Sequence, residues 1–135
     1  MTAFSKTLTR NDTGANGSHQ AGILVPKGDR ELLTFFPPLD PAIKNPDRLI
    51  DCRDETGKWW RFRYVYYNNK LHDPDGTRNE YRITRMTAYF RSVGAREGQS
   101  VVFENRSDGS FEIRLHADSP ERPTVTKLSG WRRIH

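Results

Sequence analysis

The sequence predicts a mainly β domain of the α+β class, with about seven strands and two short helices. Apolar residues alternate with polar ones in several short runs, and turn residues separate those runs. Only two stretches show helical spacing, and neither is long enough to be a helix-turn-helix reader or a basic zipper. With 135 residues, the chain is expected to form a single domain over residues 1–135.

Alternation and continuous apolar runs indicate where the strands lie. A hairpin is expected where Val101 and Phe103 alternate before the turn residues Asp108 and Gly109. The predicted strands cover residues 4–10, 21–26, 48–54 and 58–67, the two sides of this hairpin near 101–103 and 111–115, and residues 124–128. The final segment, 129–135, either packs back on the domain or begins a linker.

Capping residues place the two short helices. Asp29 is predicted to cap the first, which Pro37 ends, and Thr87 is predicted to cap the second, which Gly94 ends.

The longest predicted strand, 58–67, has one aromatic face and one basic face. The aromatic face is predicted to be core, with a platform for base stacking as the alternative. The arginines of the other face are expected to add to a basic surface. The aromatic face comprises Trp60, Phe62, Tyr64 and Tyr66, and the basic face carries Arg61 and Arg63.

The basic excess of the chain lies in its middle third. Residues 58–96 contain nine Lys and Arg against three Asp and Glu, and the whole chain has a net charge of +5. Such a concentrated patch is expected of a phosphate-binding surface, and the sequence lacks a basic amphipathic helix or lipidation motif for a membrane. We therefore expect a nucleic acid as the partner. The sequence has no bilayer-spanning apolar run or signal peptide, and its single cysteine, Cys52, suits a reducing compartment, so a cytoplasmic protein is predicted.

A charged segment at residues 76–85, here called the C-arm, follows a turn-rich run and returns to the sheet at residues 82–85. Arginine can donate two hydrogen bonds to guanine, glutamate can accept from cytosine, and asparagine can pair with adenine. The alternative is a solvated loop of salt bridges. The candidate DNA-binding residues of the C-arm are Arg78, Asn79, Glu80, Tyr81, Arg82 and Arg85.

A second candidate segment, residues 10–20, is here called the N-arm. Its small polar residues predict a projecting loop, in which Gly14 and Gly17 permit close backbone approach to a partner. A purely structural loop is the alternative, and the Walker A pattern does not fit. The candidate DNA-binding residues of the N-arm are Arg10, Asn16, Ser18, His19 and Gln20.

The sequence contains no convincing catalytic or metal site. Glu55 and Lys58 lack the spacing of an E-x-K nuclease motif, and Arg82 replaces the lysine that would follow Glu80. Cys52 lies at an alternating strand position that is typical of a buried structural cysteine. The four histidines are scattered without metal-ligand spacing.

Two segments carry a resemblance to a known family. The runs TRNDTGANGSHQAGILVP at 9–26 and GTRNEYRITR at 76–85 resemble the N-terminal effector-binding domain of EcoRII-type restriction endonucleases, which is related to the plant B3 domain. The resemblance implies a seven-stranded open pseudobarrel whose N-arm and C-arm grip the major groove of a CCWGG-type duplex. It also places His19, Arg78, Asn79, Glu80 and Arg82 in the DNA-binding cleft.

Three positions depart from the family pattern. Gly76 and Tyr81 stand where the family has lysines, and Leu24 stands where it has a tyrosine. These departures bear on phosphate anchoring and fine specificity. In the family, cleavage belongs to a separate domain that binds Mg²⁺, so no cofactor is expected for this chain, and a catalytic nuclease domain is the expected partner in the parent bacterial protein.

The sequence thus predicts a sequence-specific double-stranded DNA-binding domain, the target-recognition part of a restriction endonuclease. The alternatives are a small stand-alone PD-(D/E)xK-like nuclease and a non-specific RNA or single-strand binder that uses the aromatic face.

Overall fold

The computed structural model describes residues 2–14, 22–116 and 129–134. These residues form short strands and helices in a mainly β architecture. The strands are β1 (Ala3–Thr7), β2 (Ile23–Val25), β3 (Asp47–Arg53), β4 (Trp59–Tyr67), β5 (Glu80–Thr84), β6 (Ser100–Asn105), β7 (Phe111–His116) and β8 (Trp131–Arg133). The helices are α1 (Arg10–Thr13), α2 (Arg30–Phe35), α3 (Asn69–His72) and α4 (Thr87–Val93).

All the strands of the described residues belong to one sheet, in the order β2-β5-β4-β3-β7-β6-β1-β8. Neighbouring strands are antiparallel except β3 and β7, which are parallel and pair only around Cys52 and Arg53. The two edge strands meet, because the indole Nε1 of Trp131 on β8 donates to the carbonyl oxygen of Leu24 on β2 at 2.8 Å. The sheet therefore curls into an open pseudobarrel, as the resemblance implied.

The core fills the inside of this curled sheet. Phe36, which follows α2, lies at its centre and contacts Tyr64, Phe103, Phe111 and Trp131 with ring centroids 5.1 to 6.1 Å apart. The predicted aromatic face of β4 points into this core, where its three C-terminal members are buried and Trp60 is partly buried. The core interpretation of that face is confirmed.

The sequence predicted about seven strands and two helices, and the described residues show eight strands and four helices. The first strand ends at Thr7, because Thr9 caps α1: its hydroxyl accepts from the Asp12 N–H at 3.1 Å, and the Asp12 carboxylate accepts from the Thr9 N–H at 3.0 Å. Thr87 is the first residue of α4, whose N-cap is Met86.

From the sequence, the final segment, 129–135, was expected either to pack back on the domain or to begin a linker. Trp131 is fully buried, and β8 pairs with β1. The predicted strand at 124–128 lies outside the described residues.

The basic face of β4 is largely neutralised, contrary to expectation. The antiparallel register with β3 sets Asp51 opposite Arg61, whose Nε lies 2.8 Å from the carboxylate. Arg63 lies opposite Leu49, and its Nε reaches the diagonal neighbour Asp47 at 2.6 Å. These arginines add little to a basic surface, because Asp51 and Asp47 on β3 pair with them.

Candidate nucleic-acid interface

The base of the C-arm is held by a buried asparagine. Asn68 follows β4 and is fully buried, and its side-chain oxygen accepts from the Asn45 N–H at 2.7 Å. The Asn45 side chain in turn accepts from the Asn68 N–H at 3.0 Å. The Asn68 amide nitrogen donates to the carbonyls of Pro41 and Ile43. Since all these groups are paired, the loop at 41–45 fixes the point where the C-arm leaves the sheet.

The short helix α3 then fixes the backbone of Arg78. The side-chain oxygen of Asn69 accepts from the Arg78 N–H at 2.8 Å, and the Lys70 N–H donates to the Arg78 carbonyl at 3.0 Å. Between them, Gly76 passes so close to α3 that a Cβ at this position would collide with the carbonyl oxygen of Asn69. Close approach therefore requires glycine at this position.

Three charged side chains of the C-arm lie together on the outer face of the sheet. Arg82 Nη1 donates to Glu80 Oε2 at 2.9 Å, and Arg78 Nη2 lies 3.5 Å from the same oxygen. The guanidinium carbon of Arg78 also lies 3.7 Å from the ring centroid of Tyr67. The side chains of Arg78, Glu80 and Arg82 are 42%, 30% and 21% exposed, so they are ordered by mutual contact and still reach solvent.

The two arginines keep Glu80 ionised. Partial burial by itself would raise the pKa of the Glu80 carboxyl, but hydrogen bonds from Arg82 and Arg78 outweigh it, so the pKa lies below its usual value. The cluster thus presents two cations and one anion side by side near neutral pH. Guanidiniums can donate to guanine and the carboxylate can accept from cytosine.

The other predicted C-arm residues lie apart from this cluster. The Tyr66 hydroxyl donates to the side-chain oxygen of Asn79, so that oxygen supports the arm. Tyr81 points to the core side of β5, where its ring stacks on Tyr66 with centroids 4.1 Å apart and an interplanar angle of 3°. Arg85 is exposed in a left-handed conformation just after β5, at the opposite end of that strand from Glu80.

The described part of the N-arm is anchored by a buried ion pair. Lys6 Nζ lies 2.8 Å from Asp12 Oδ2, with both side chains almost fully buried, and the carbonyl of Asp12 accepts from the Gly22 N–H at 3.1 Å. Arg10 is exposed as the first residue of α1. Because β2 pairs with β5, the strand that follows the N-arm lies directly beside the C-arm. The remaining N-arm candidates, Asn16, Ser18, His19 and Gln20, lie outside the described residues.

Three residues of this site were not singled out from the sequence. Tyr67 and Asn69 contact the predicted residue Arg78 directly, and Lys6 pairs with Asp12 in the N-arm. Lys6 carried a detectable signal, since a lysine in an otherwise strand-like run lies shortly before the Thr9-x-x-Asp12 capping box. No sequence pattern indicated Tyr67 or Asn69, because their contacts with Arg78 depend on how the chain folds back at Gly76.

Residues 2–14, 22–116 and 129–134 show neither a metal site nor a membrane-spanning helix. No group of three or more His, Cys, Asp or Glu there is placed to hold a metal ion. No helix within these ranges is long and apolar enough to cross a membrane. Cys52 is fully buried, and this burial raises the pKa of its thiol, as expected of a structural cysteine.

Known proteins share both the sequence pattern and the fold. The family described as "Restriction endonuclease EcoRII, N-terminal" matches residues 1–107. Type II restriction enzyme EcoRII of Escherichia coli is 38% identical over 98 residues, which cover 65% of this chain and 22% of that protein. Auxin response factor 3 of Arabidopsis thaliana is 31% identical over 116 residues, which cover 86% of this chain and 17% of that protein.

Among solved structures, the chain is similar to that of the Arabidopsis FUS3-DNA complex, with a TM-score of 0.66, 19% identity, and coverage of 88% of this chain and 100% of that one. This likeness shows that the two chains share a fold. The chain belongs to the EcoRII N-terminal family. It spans only 13 to 35% of the length of the curated relatives it matches.

Proposed function

We propose that this domain binds double-stranded DNA sequence-specifically, with the C-arm in the major groove, as the target-recognition domain of a restriction endonuclease. The observation that carries the proposal is the cluster of Arg78, Glu80 and Arg82 on the outer face of the sheet. The major groove is wide enough to admit a two-stranded ribbon, and β5 of the C-arm forms such an antiparallel pair with the neighbouring strand β4.

The chemistry of the cluster favours a site rich in G·C pairs. Arg78 and Arg82 can each donate to guanine, and Glu80 can accept from the cytosine amino group. Because Glu80 already contacts both arginines, donors and an acceptor are held at neighbouring positions before DNA binds. A CCWGG-type duplex, implied by the resemblance, offers guanine and cytosine in adjacent pairs and is the site we propose.

The relatives support the same function. One is named as a type II restriction enzyme, and one structure of the same fold is titled as a complex with DNA. Since the chain spans about a fifth of the restriction enzyme, we propose a catalytic nuclease domain as its partner within a cytoplasmic bacterial protein. In this division of labour, Mg²⁺ and DNA cleavage belong to the partner domain. The aromatic face of β4 is not a stacking platform for single strands, because Phe62 and Tyr64 are buried in the core.

Equilibrium binding to labelled duplexes tests the proposal. The domain is titrated into a CCWGG duplex, a scrambled duplex of equal composition and the single strand, each at two salt concentrations, since phosphate contacts weaken with salt. We expect a clear preference for the CCWGG duplex. Equal affinity for all three nucleic acids would contradict it, and cleavage of plasmid in the presence of Mg²⁺ would favour a nuclease.

Replacing Arg78 tests how the preference arises. Arg78→Ala should lose about 1 to 3 kcal/mol of binding free energy, confined to the cognate duplex. The matched control is Arg91→Ala, which removes an exposed arginine from α4. That helix packs through Tyr89 on Trp60 and Phe62, whereas Arg78 lies over Tyr67 at the other end of β4, so removing the Arg91 side chain should leave binding unchanged. An equal loss on scrambled DNA would make Arg78 a phosphate contact and contradict base reading.

A further inference from the structure

Tyr67 occupies a distinctive position at the end of β4. It is paired in register with Glu80, and its side chain lies on the outer face of the sheet, whereas Tyr64 and Tyr66 point to the core. The Arg78 guanidinium lies over its ring, with the central carbon 3.7 Å from the centroid. Its hydroxyl accepts from Arg63 Nη1 at 3.3 Å, and Arg63 is itself held by Asp47. The half-buried Tyr67 side chain therefore contacts two arginines: Arg63 through its hydroxyl and Arg78 through its ring.

The contact with Tyr67 involves the flat face of the Arg78 guanidinium, which makes no hydrogen bonds to a base. A guanidinium that stacks on an aromatic ring offers its flat face to the ring, while its N–H groups point outward in the plane. Guanine is read by those in-plane N–H groups. Stacking on Tyr67 and donation to a base are therefore compatible in one conformation of Arg78.

Arg78 is held through both its backbone and its side chain. Its backbone N–H and carbonyl are both bound by α3, through Asn69 and Lys70. A long arginine side chain otherwise loses considerable rotamer freedom when it binds, and that loss weakens affinity. With the backbone and the guanidinium face both held, less freedom remains to be lost on the DNA.

From this geometry we propose that Tyr67 is a positioning residue for base recognition: its ring holds the Arg78 guanidinium with its N–H edge toward the major groove. The inference rests on the proposed function of the C-arm. It assigns to Tyr67 no hydrogen bond to DNA, and it predicts that Tyr67 matters only as long as Arg78 is present.

The first test uses the free protein and needs no DNA. In the wild type, the ring current of Tyr67 should shift the Arg78 side-chain NMR signals upfield of those of exposed arginines. Tyr67→Phe keeps an aromatic ring and should keep the shift, whereas Tyr67→Leu should abolish it. Random-coil Arg78 shifts in the wild type would overturn the proposed stacking.

The second test is a double-mutant cycle in DNA binding. Tyr67→Leu should weaken binding to the CCWGG duplex about two- to five-fold, the effect of an exposed cation–π contact, and Tyr67→Phe should bind like the wild type. In the Arg78→Ala background, Tyr67→Leu should have no further effect. The matched control is Trp59→Ala, which removes an exposed ring at the other end of the same strand, with Arg106 5.6 Å from its centroid. It should leave binding unchanged.

The outcomes separate this inference from the proposed function. If wild type prefers the CCWGG duplex but Tyr67→Leu weakens binding equally with and without Arg78, Tyr67 acts independently of Arg78, and the inference is overturned. If Tyr67→Leu weakens scrambled and cognate duplexes alike, it is also overturned. If the wild type shows no sequence preference at all, the proposed function is contradicted. The NMR measurement then still decides whether Arg78 stacks on Tyr67.

Discussion

At the scale of single residues, the side chains that we propose to read DNA are already paired with one another. Arg78 and Arg82 share Glu80 in the free domain. From the sequence, the same residues predicted either a base-reading arm or a loop of salt bridges. The sequence could not separate these interpretations, because both use the same charged groups. In our proposal, the paired state orders these groups for reading DNA.

The ionisation of Glu80 provides a residue-scale prediction. Because the arginines lower its pKa in the folded domain, their pairing with Glu80 is complete above the usual glutamate pKa of about 4.3 and is lost as the pH falls through the lower folded value. A carboxyl-carbon NMR titration should therefore give a midpoint below that usual value. Arg82→Gln removes the closer partner and should move the midpoint upward. A midpoint at or above the ordinary value in the wild type would contradict the pairing.

At the scale of elements, the C-arm and the described part of the N-arm are both anchored to the fold. The C-arm is fixed by α3 and the approach of Gly76, and the N-arm by the buried pair of Lys6 and Asp12. A buried pair that loses one partner leaves an uncompensated charge, which is strongly destabilising. The anchors are therefore part of the fold, although the groups they position are exposed.

Sequence patterns located most elements but not the anchors. The alternation in β4, the hairpin of β6 and β7 and the Asp29 cap of α2 were all predictable from local periodicity and capping. The four-residue helix α3 was missed because it is too short to show helical spacing. The parallel contact of β3 with β7 joins residues about sixty positions apart, and no local pattern specifies it.

Gly76 provides the element-scale prediction. Gly76→Ala places a methyl group against the carbonyl of Asn69, so α3 and the C-arm backbone must shift apart. We expect the cognate preference to fall at least ten-fold while the circular dichroism spectrum stays that of the folded domain. A misplacement of this kind is costly because bidentate hydrogen bonds require close geometry.

A second glycine supplies the control for this change. Gly28 has no neighbouring atom within 4 Å of an added Cβ, so Gly28→Ala should bind DNA like the wild type. If Gly76→Ala also bound normally, the close approach at α3 would have no role in presenting the C-arm.

At the scale of the whole molecule, the curled sheet brings two distant parts of the chain together. Trp131 on β8 is buried against Phe36 and Phe103 and donates to Leu24 on β2, so the C-terminal strand closes the side of the barrel that carries the N-arm. The basic excess of residues 58–96 was predictable from counting. Its partial neutralisation by the aspartates of β3 was not, because it depends on strand register.

Trp131 provides the whole-molecule prediction. Trp131→Phe keeps an aromatic ring and removes the indole N–H that satisfies the carbonyl of Leu24, so the free energy of unfolding should fall by about 1 to 3 kcal/mol. Trp59→Phe, at an exposed position, should change it by less than about 0.5 kcal/mol. Urea unfolding at neutral pH measures both. Equal changes for the two variants would show that contact between the edge strands does not stabilise the barrel.

The structure of the domain bound to a CCWGG duplex tests the central claim most directly. The account predicts that the guanidiniums of Arg78 and Arg82 and the carboxylate of Glu80 lie within hydrogen-bond distance of base edges, about 2.7 to 3.2 Å, in the major groove. It would be contradicted if these three side chains faced bulk solvent while another surface of the domain held the duplex.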